Sequence, residues 1–275
     1  HEAYRILGEP RFGGILVVSD HASNHVPADI ELGVDPALLD QHVAIDIGVG
    51  PIGAAMASRP GVAAFQGGVS RLVCDFNRDD HAPAVVPIAS DGHAVPGNAL
   101  DHAGREARLA RFFHPYHAAL ERLLNDRPPA LILSLHSFTP QLATSDEPRP
   151  WHCGVLYNED DRAARIAIPL LAAEGLIVGD QQPYSGRLLN ATMNRHAEAE
   201  GRPYFGIEIR QDLIDTIDMP KVFFGDFGQL PPIAAESRVT LARVGAHGPH
   251  AGHGRTAGAY PRTVVHGPQP RSQTP

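Results

Sequence analysis

Hydrophobic residues come in short runs that alternate with longer amphipathic stretches from Ile15 to about Phe224. "GILVVSD" and "ALILSLHS" are continuous apolar runs of strand length, the pattern of strands covered on both faces. "VAAFQGG", "RLVCDF", "HCGVLYN" and "YFGIEIR" also read as strands. Between them, "AIDIGVGPIGAAMAS" predicts a helix with a glycine-softened start, and "DRAARIAIPLLAAEG" one that closes on glycine. In "REARLARFFHPYHAALERLLND", Leu109, Phe112, Phe113, Tyr116, Leu120, Leu123 and Leu124 share one face at helical spacing. Strands separated by helices predict the α/β class: a mixed, mostly parallel sheet flanked by helices on both faces, a three-layer sandwich.

No internal repeat or linker interrupts this order, so residues 1–238 are expected to form a single α/β domain. Residues 239–275 are rich in Gly, Pro and polar residues without apolar periodicity, and read as a disordered or irregular tail. The hydrophobic fraction of 43% and charged fraction of 20% suit a globular chain of 275 residues. A formal charge of -8 argues against a nucleic-acid partner, which requires basic surface. No apolar run approaches the ~20 residues of a membrane span, and "HEAYRILGEP" lacks a signal pattern, so a soluble cytoplasmic protein is expected. Cys74 and Cys153 sit in apolar contexts outside any CxxC, which reads as inert core rather than a thiolate cage.

In open α/β sheets, chemistry collects beyond the carboxyl ends of the strands. The first strand runs into His21, "LILSLHS" into His136, "YFGIEIR" carries Glu208 and Arg210, and "LVCDF" runs into Asn77 and Arg78. Two histidines and one oxygen ligand make a catalytic zinc site with a position left for water. His21 and His136 are the expected nitrogen ligands and Glu208 the expected base. Asp46 is the preferred third ligand. Asn24, with only a neutral amide oxygen, is the alternative and otherwise a substrate contact, and Asp20 is expected to orient His21. Arg71, Asn77 and Arg78 cluster in "SRLVCDFNR", and arginine forks suit a substrate carboxylate. The competing reading for Arg78 is an ion pair with Asp75 or Asp79. Arg210 shares the sheet face of Glu208, there to hold substrate or to neutralise local acids. Pro115 disturbs the helix between His114 and His117, and His117 is read as a neighbour of the site without an assigned role.

"SDHASNHVP", "SRLVCDFNR", "LSLHSFTP" and "IEIRQDLI", in that order, resemble the N-formylglutamate amidohydrolase family over roughly Tyr4 to Ile214. The resemblance implies a zinc-dependent hydrolase with a fold like that of the carboxypeptidase-type zinc exopeptidases. It implies one zinc ion, or another divalent metal, on His21 and His136, a substrate carboxylate on Asn77 and Arg78, and Glu208 as general base. Carboxypeptidase-type enzymes have a glutamate three residues after the first histidine, where this chain has Asn24. The implied reaction, set in histidine degradation, converts N-formyl-L-glutamate and water to formate and L-glutamate. Beside it stand a deacylase or exopeptidase acting on another N-acyl amino acid or peptide, and a non-catalytic relative that binds metal or an amino acid.

Overall fold

A computed structural model describes residues 2–224. The tail expected over 239–275, and the domain limit at 238, lie outside the described residues. Nine strands form among the described residues: β1 (Tyr4–Gly8), β2 (Ile15–Ser19), β3 (Val62–Gly67), the small hairpin β4 (Ala89–Ser90) and β5 (His93–Ala94), β6 (Leu131–Phe138), β7 (Cys153–Leu156), β8 (Val178–Asp180) and β9 (Tyr204–Arg210). Seven make one sheet in the order β1-β3-β2-β6-β9-β7-β8. β3, β2, β6 and β9 run parallel to one another, while β1 and β7 pair antiparallel to β3 and β9. The carboxyl ends of β2, β6 and β9 therefore open on one edge.

Alternation along the strands sorts the core into two layers. Val17, Leu133, Leu135, Phe205, Ile207 and Ile209 pack with α1 (Val49–Ala57), α4 (Ala164–Ala173) and Met219, the first residue of α6 (Met219–Phe224). Leu16, Val18, Phe65, Ile132 and Tyr204 pack on the other face with Tyr116, Leu120 and Leu124 of α3 (His114–Asp126). The three-layer sandwich of a mixed, mostly parallel sheet is the architecture the hydrophobic pattern predicts. β6 is buried along its whole length, which explains its unbroken apolar run.

The long amphipathic stretch is two helices joined by a π turn: α2 (His102–Arg108), Leu109–Phe113 and α3. Asp101 caps α2 by accepting from the Gly104 amide at 2.8 Å. Pro115 is the second residue of α3, just past the π turn, in the first turn of a helix where a residue with no N–H to give is tolerated.

Residues 71–76, read from sequence as a strand, form turns instead. The Val73 and Cys74 amides donate to the Ser70 carbonyl at 2.8 and 3.2 Å, and the Asn98 side chain donates to the Leu72 carbonyl at 2.7 Å. Leu72, Val73, Cys74 and Phe76 are fully buried, so their apolar character reflects a loop packed into the core. β1, β8 and α5 (Ala191–His196) were not legible, being short and mixed in polarity.

Gly67 closes β3 against the segment that leads out of β2: a Cβ there would meet the carbonyl oxygen of Asp20. Gly67→Ala is expected to destabilise the fold by about 1–3 kcal/mol, read as a lower urea midpoint with an unchanged slope.

Candidate metal centre and active site

The β2 strand ends at Ser19, and the next residues, Asp20 and His21, turn into the core beyond the sheet edge. His136 and Glu208 sit directly opposite each other in the parallel register of β6 and β9. Partners in a parallel ladder project to the same face, so the sheet's own hydrogen bonds set these two side chains next to each other. Asp46 lies in the turn ahead of α1, and three strands of chain hold that turn. Its amide donates to the His21 carbonyl at 3.0 Å, the Ser137 hydroxyl donates to the Ile47 carbonyl at 2.9 Å, and the Ser70 hydroxyl donates to the Ala44 carbonyl at 2.8 Å.

His21, Asp46 and His136 converge, with one ligand atom from each lying within 4.8 Å of the others. Asp46 Oδ2 stands 3.2 Å from His21 Nδ1 and 2.8 Å from His136 Nδ1. Each imidazole turns its far nitrogen to a different carboxylate. His21 Nε2 is 2.7 Å from Asp75 Oδ1, and His136 Nε2 is 3.5 Å from Asp20 Oδ2 and 3.2 Å from the Ser134 hydroxyl. Asp46 Oδ1 accepts from Arg71 Nη1 at 2.9 Å, and Arg71 and Arg78 each approach Asp75 Oδ2 at 3.6 Å.

Charge decides what this cluster can hold. Asp20, Asp46, Asp75 and Glu208 are all buried. Against four carboxylates stand the two guanidinium groups of Arg71 and Arg78, leaving two negative charges when all four acids are ionised and the imidazoles are neutral. Either both imidazoles take a proton or a divalent cation fills the same role, because an uncompensated buried charge is costly. Burial and Arg71 oppose protonation of His21, yet Asp75 and Asp46 raise its pKa. Burial likewise opposes protonation of His136, and hydrogen bonds to Asp20 and Asp46 raise it well above the usual value. Burial would lift Asp46, but the His21 and Arg71 charges hold it well below the carboxylate range. Desolvation dominates at Glu208 and pushes its carboxyl up to about 7, with His136 pulling the other way. Glu208 Oε2 has no hydrogen-bond partner among the described residues, and Asp20 Oδ2 has only the long contact to His136 Nε2 at 3.5 Å. Two inward Nδ1 atoms, a shared carboxylate oxygen and outer carboxylates that hold Nε2–H tautomers form a donor set that fits zinc.

The structure thus brings together four residues named from sequence, His21, Asp46, His136 and Glu208, with Arg71 in contact with Asp46. Asp20 faces His136 rather than His21, and Asp75, hidden in the misread apolar run, takes the place beside His21. Asn24 turns away and donates to Asp40 at 2.8 Å. Asn77 Oδ1 accepts from the Thr192 amide at 3.1 Å. Arg210 pairs with Asp212 at 2.8 Å and donates to the Arg149 carbonyl at 3.1 Å.

His117 stands behind the cluster and touches none of His21, Asp46 and His136 in the contacts described. Its Nε2 lies 3.1 Å from the Phe76 carbonyl, so it carries the proton, and its Nδ1 accepts from His196 Nε2 at 2.9 Å. Beside this pair, Asp20 Oδ1 accepts from Tyr116 at 2.6 Å and from Thr192 at 3.0 Å.

A family model described as N-formylglutamate amidohydrolase matches residues 13–215. The chain belongs to the N-formylglutamate amidohydrolase family. Membership makes it a hydrolase and agrees with the order of motifs that pointed there. The crystal structure of gene product Atu2144 from Agrobacterium tumefaciens superposes with a TM-score of 0.75 at 25% identity, covering 89% of this chain and 95% of that one. An N-formylglutamate amidohydrolase from Ralstonia eutropha JMP134 superposes with a TM-score of 0.56 at 21% identity, covering 81% of this chain and 95% of that one, and shares the fold. No curated protein matches the chain. No helix among the described residues is long and apolar enough to cross a membrane.

The donor set predicts that Asp46→Ala weakens zinc binding by more than the ~10–100-fold typical of outer partners, while Asp75→Asn falls within that range, both read by competition with a chromophoric chelator. The neutral histidine pair predicts acid sensitivity. Burial holds His117 down to about 3 and His196 down to about 4, so the unfolded chain binds protons first as pH falls below about 6.5. Stability contributed by the pair is complete above that pH and lost as pH falls towards 4. Urea midpoints measured between pH 7.5 and 5 should decline less steeply in His117→Gln than in the parent.

Proposed function

We propose that the protein hydrolyses the amide of an N-acyl acidic amino acid, converting N-formyl-L-glutamate and water to formate and L-glutamate. One divalent cation, zinc by the donor set, is assigned to His21, Asp46 and His136. The observation that carries this reading is the meeting of two imidazole Nδ1 atoms on one carboxylate oxygen beside Glu208, a carboxylate with an unpartnered oxygen. When bound, the cation supplies a Lewis acid that acidifies water and polarises an acyl oxygen.

Glu208 is assigned the proton transfers. It removes a proton from the attacking water and delivers it to the departing amide nitrogen, so that formate leaves and the amine of glutamate is freed. A carboxyl pushed up to about 7 is suited to both accepting and giving a proton near neutrality. Arg71, anchored through Asp46, provides positive charge for the oxygen that becomes negative as water adds. Arg78 and Asn77 are assigned the α-carboxylate. Asn77 holds the start of α5 through Thr192, and Arg78 Nη1 donates to the Asn77 carbonyl at 2.8 Å, so the two move as one piece. Asn24 and Arg210, engaged by Asp40 and Asp212, are assigned to support of the surrounding loops.

Formate release from N-formyl-L-glutamate is the direct test. Activity should vanish in a chelator and return with zinc, and turnover that ignores the chelator would end the metal mechanism. Glu208→Gln should lower kcat by about 10²–10⁴-fold and still bind zinc at the parental stoichiometry. Faster cleavage of N-acetyl or peptide substrates than of the formyl compound would move the assignment to a deacylase.

A further inference from the structure

We propose that Arg149, in the segment between β6 and β7, selects an acidic substrate by receiving the side-chain carboxylate of the N-acyl amino acid. This inference rests on the assignment of the site above and adds the residue that reads the substrate's far end.

Most positive charges around the site already face a carboxylate. Arg71 is shared by Asp46 and Asp75, Arg78 faces Asp75, and Arg210 pairs with Asp212. Arg149 differs. Its Nη1 donates to two neutral oxygens, the Thr139 carbonyl at 3.1 Å and the Tyr184 hydroxyl at 3.0 Å. No carboxylate of the described residues forms an ion pair with it. A partly buried guanidinium without a counter-charge is costly on its own and gains most from an anionic ligand.

The group is also held in place. Its Cζ lies 5.9 Å from the centre of the Phe138 ring and 5.0 Å from that of Tyr184. Contact with two ring faces restrains the guanidinium, and the N–H groups not used by Thr139 and Tyr184 are left for a bidentate partner. Tyr184 reaches inward from the same place. Burial and the nearby Glu208 charge push its phenol up.

Distance along the sheet matches the ligand. Phe138 is two residues beyond His136 on β6, and Arg210, which donates to the Arg149 carbonyl, is two residues beyond Glu208 on β9. Two residues of strand span about 6.6 Å. In an N-acyl glutamate, five bonds of about 1.3–1.5 Å separate the acyl carbon from the γ-carboxyl carbon, roughly 6 Å when extended. A substrate with its acyl group beside His136 and Glu208 thus brings its second carboxylate to the level of Arg149. The α-carboxylate, assigned to Arg78, and the γ-carboxylate then have separate cations.

The test is calorimetric binding of N-formyl-L-glutamate and N-formyl-L-glutamine to the zinc-loaded Glu208→Gln protein, which binds without turnover. A preference for glutamate of at least about tenfold is expected from a hydrogen-bonded charge pair. Adding Arg149→Met should erase that preference, and Arg149→Lys, which keeps the charge and loses the fork, should restore part of it. Because the readout is a ratio of two ligands on one protein, partial misfolding does not imitate the effect. Equal binding of the two ligands by Glu208→Gln would overturn the proposal, as would a preference that survives Arg149→Met. An Arg149-dependent preference in a wild-type protein that releases no formate would support the proposal and overturn only the catalytic assignment.

Discussion

One carboxylate oxygen organises the site. Asp46 Oδ2 is within hydrogen-bond distance of both imidazoles and lies 3.4 Å from the Ser137 amide, while the other oxygen of the same group holds Arg71. Such a concentration of acids inside a protein survives only where positive charge answers it closely. The loop from Asp20, the turn before α1, the buried turns around Asp75 and two neighbouring strands are therefore bound to a common electrostatic requirement. None can shift alone without exposing an unbalanced charge to a low-dielectric interior.

Most of the fold was readable because the central strands are covered on both sides and so appear as unbroken apolar runs. The same cue misled at residues 71–76, where a buried loop has the composition of a strand but donates its amides to Ser70 and to Val85. That error hid Asp75, whose place beside His21 depends on a turn that periodicity cannot reveal. His136 and Glu208 were legible since each ends an apolar strand with a polar residue. Asp46 was harder to choose over Asn24 because what fixes it is a glycine-rich turn stitched to three distant segments. Arg149 carried no signal in sequence, being one charged residue in a polar loop. Its meaning comes from the acids that are missing around it.

Behind the acids, the layer formed by α3 and α5 acts as a buttress. Tyr116 and Thr192 share Asp20, and His117 with His196 links the two helices through a proton arrangement that the Phe76 carbonyl dictates. This rear layer is closely satisfied, whereas the front retains an unpartnered oxygen at Glu208. Rigid backing and an unsatisfied front is the division expected where geometry must hold while bonds to another molecule form.

The connection from β6 to β7 is moored in its middle to the β4–β5 hairpin and near its end to Tyr184 and Arg210, which hold Arg149. Asp91, in the β4–β5 hairpin, accepts from the Ala143 and Thr144 amides at 3.0 and 3.2 Å, from the Thr144 hydroxyl at 2.7 Å, and lies 2.8 Å from His42 Nε2. These moorings and the two ends of the segment fix its course, and the stretch between carries no group of the His–Asp–His cluster. Descendants of this scaffold can therefore rewrite that stretch to suit a new molecule while inheriting the reaction machinery intact.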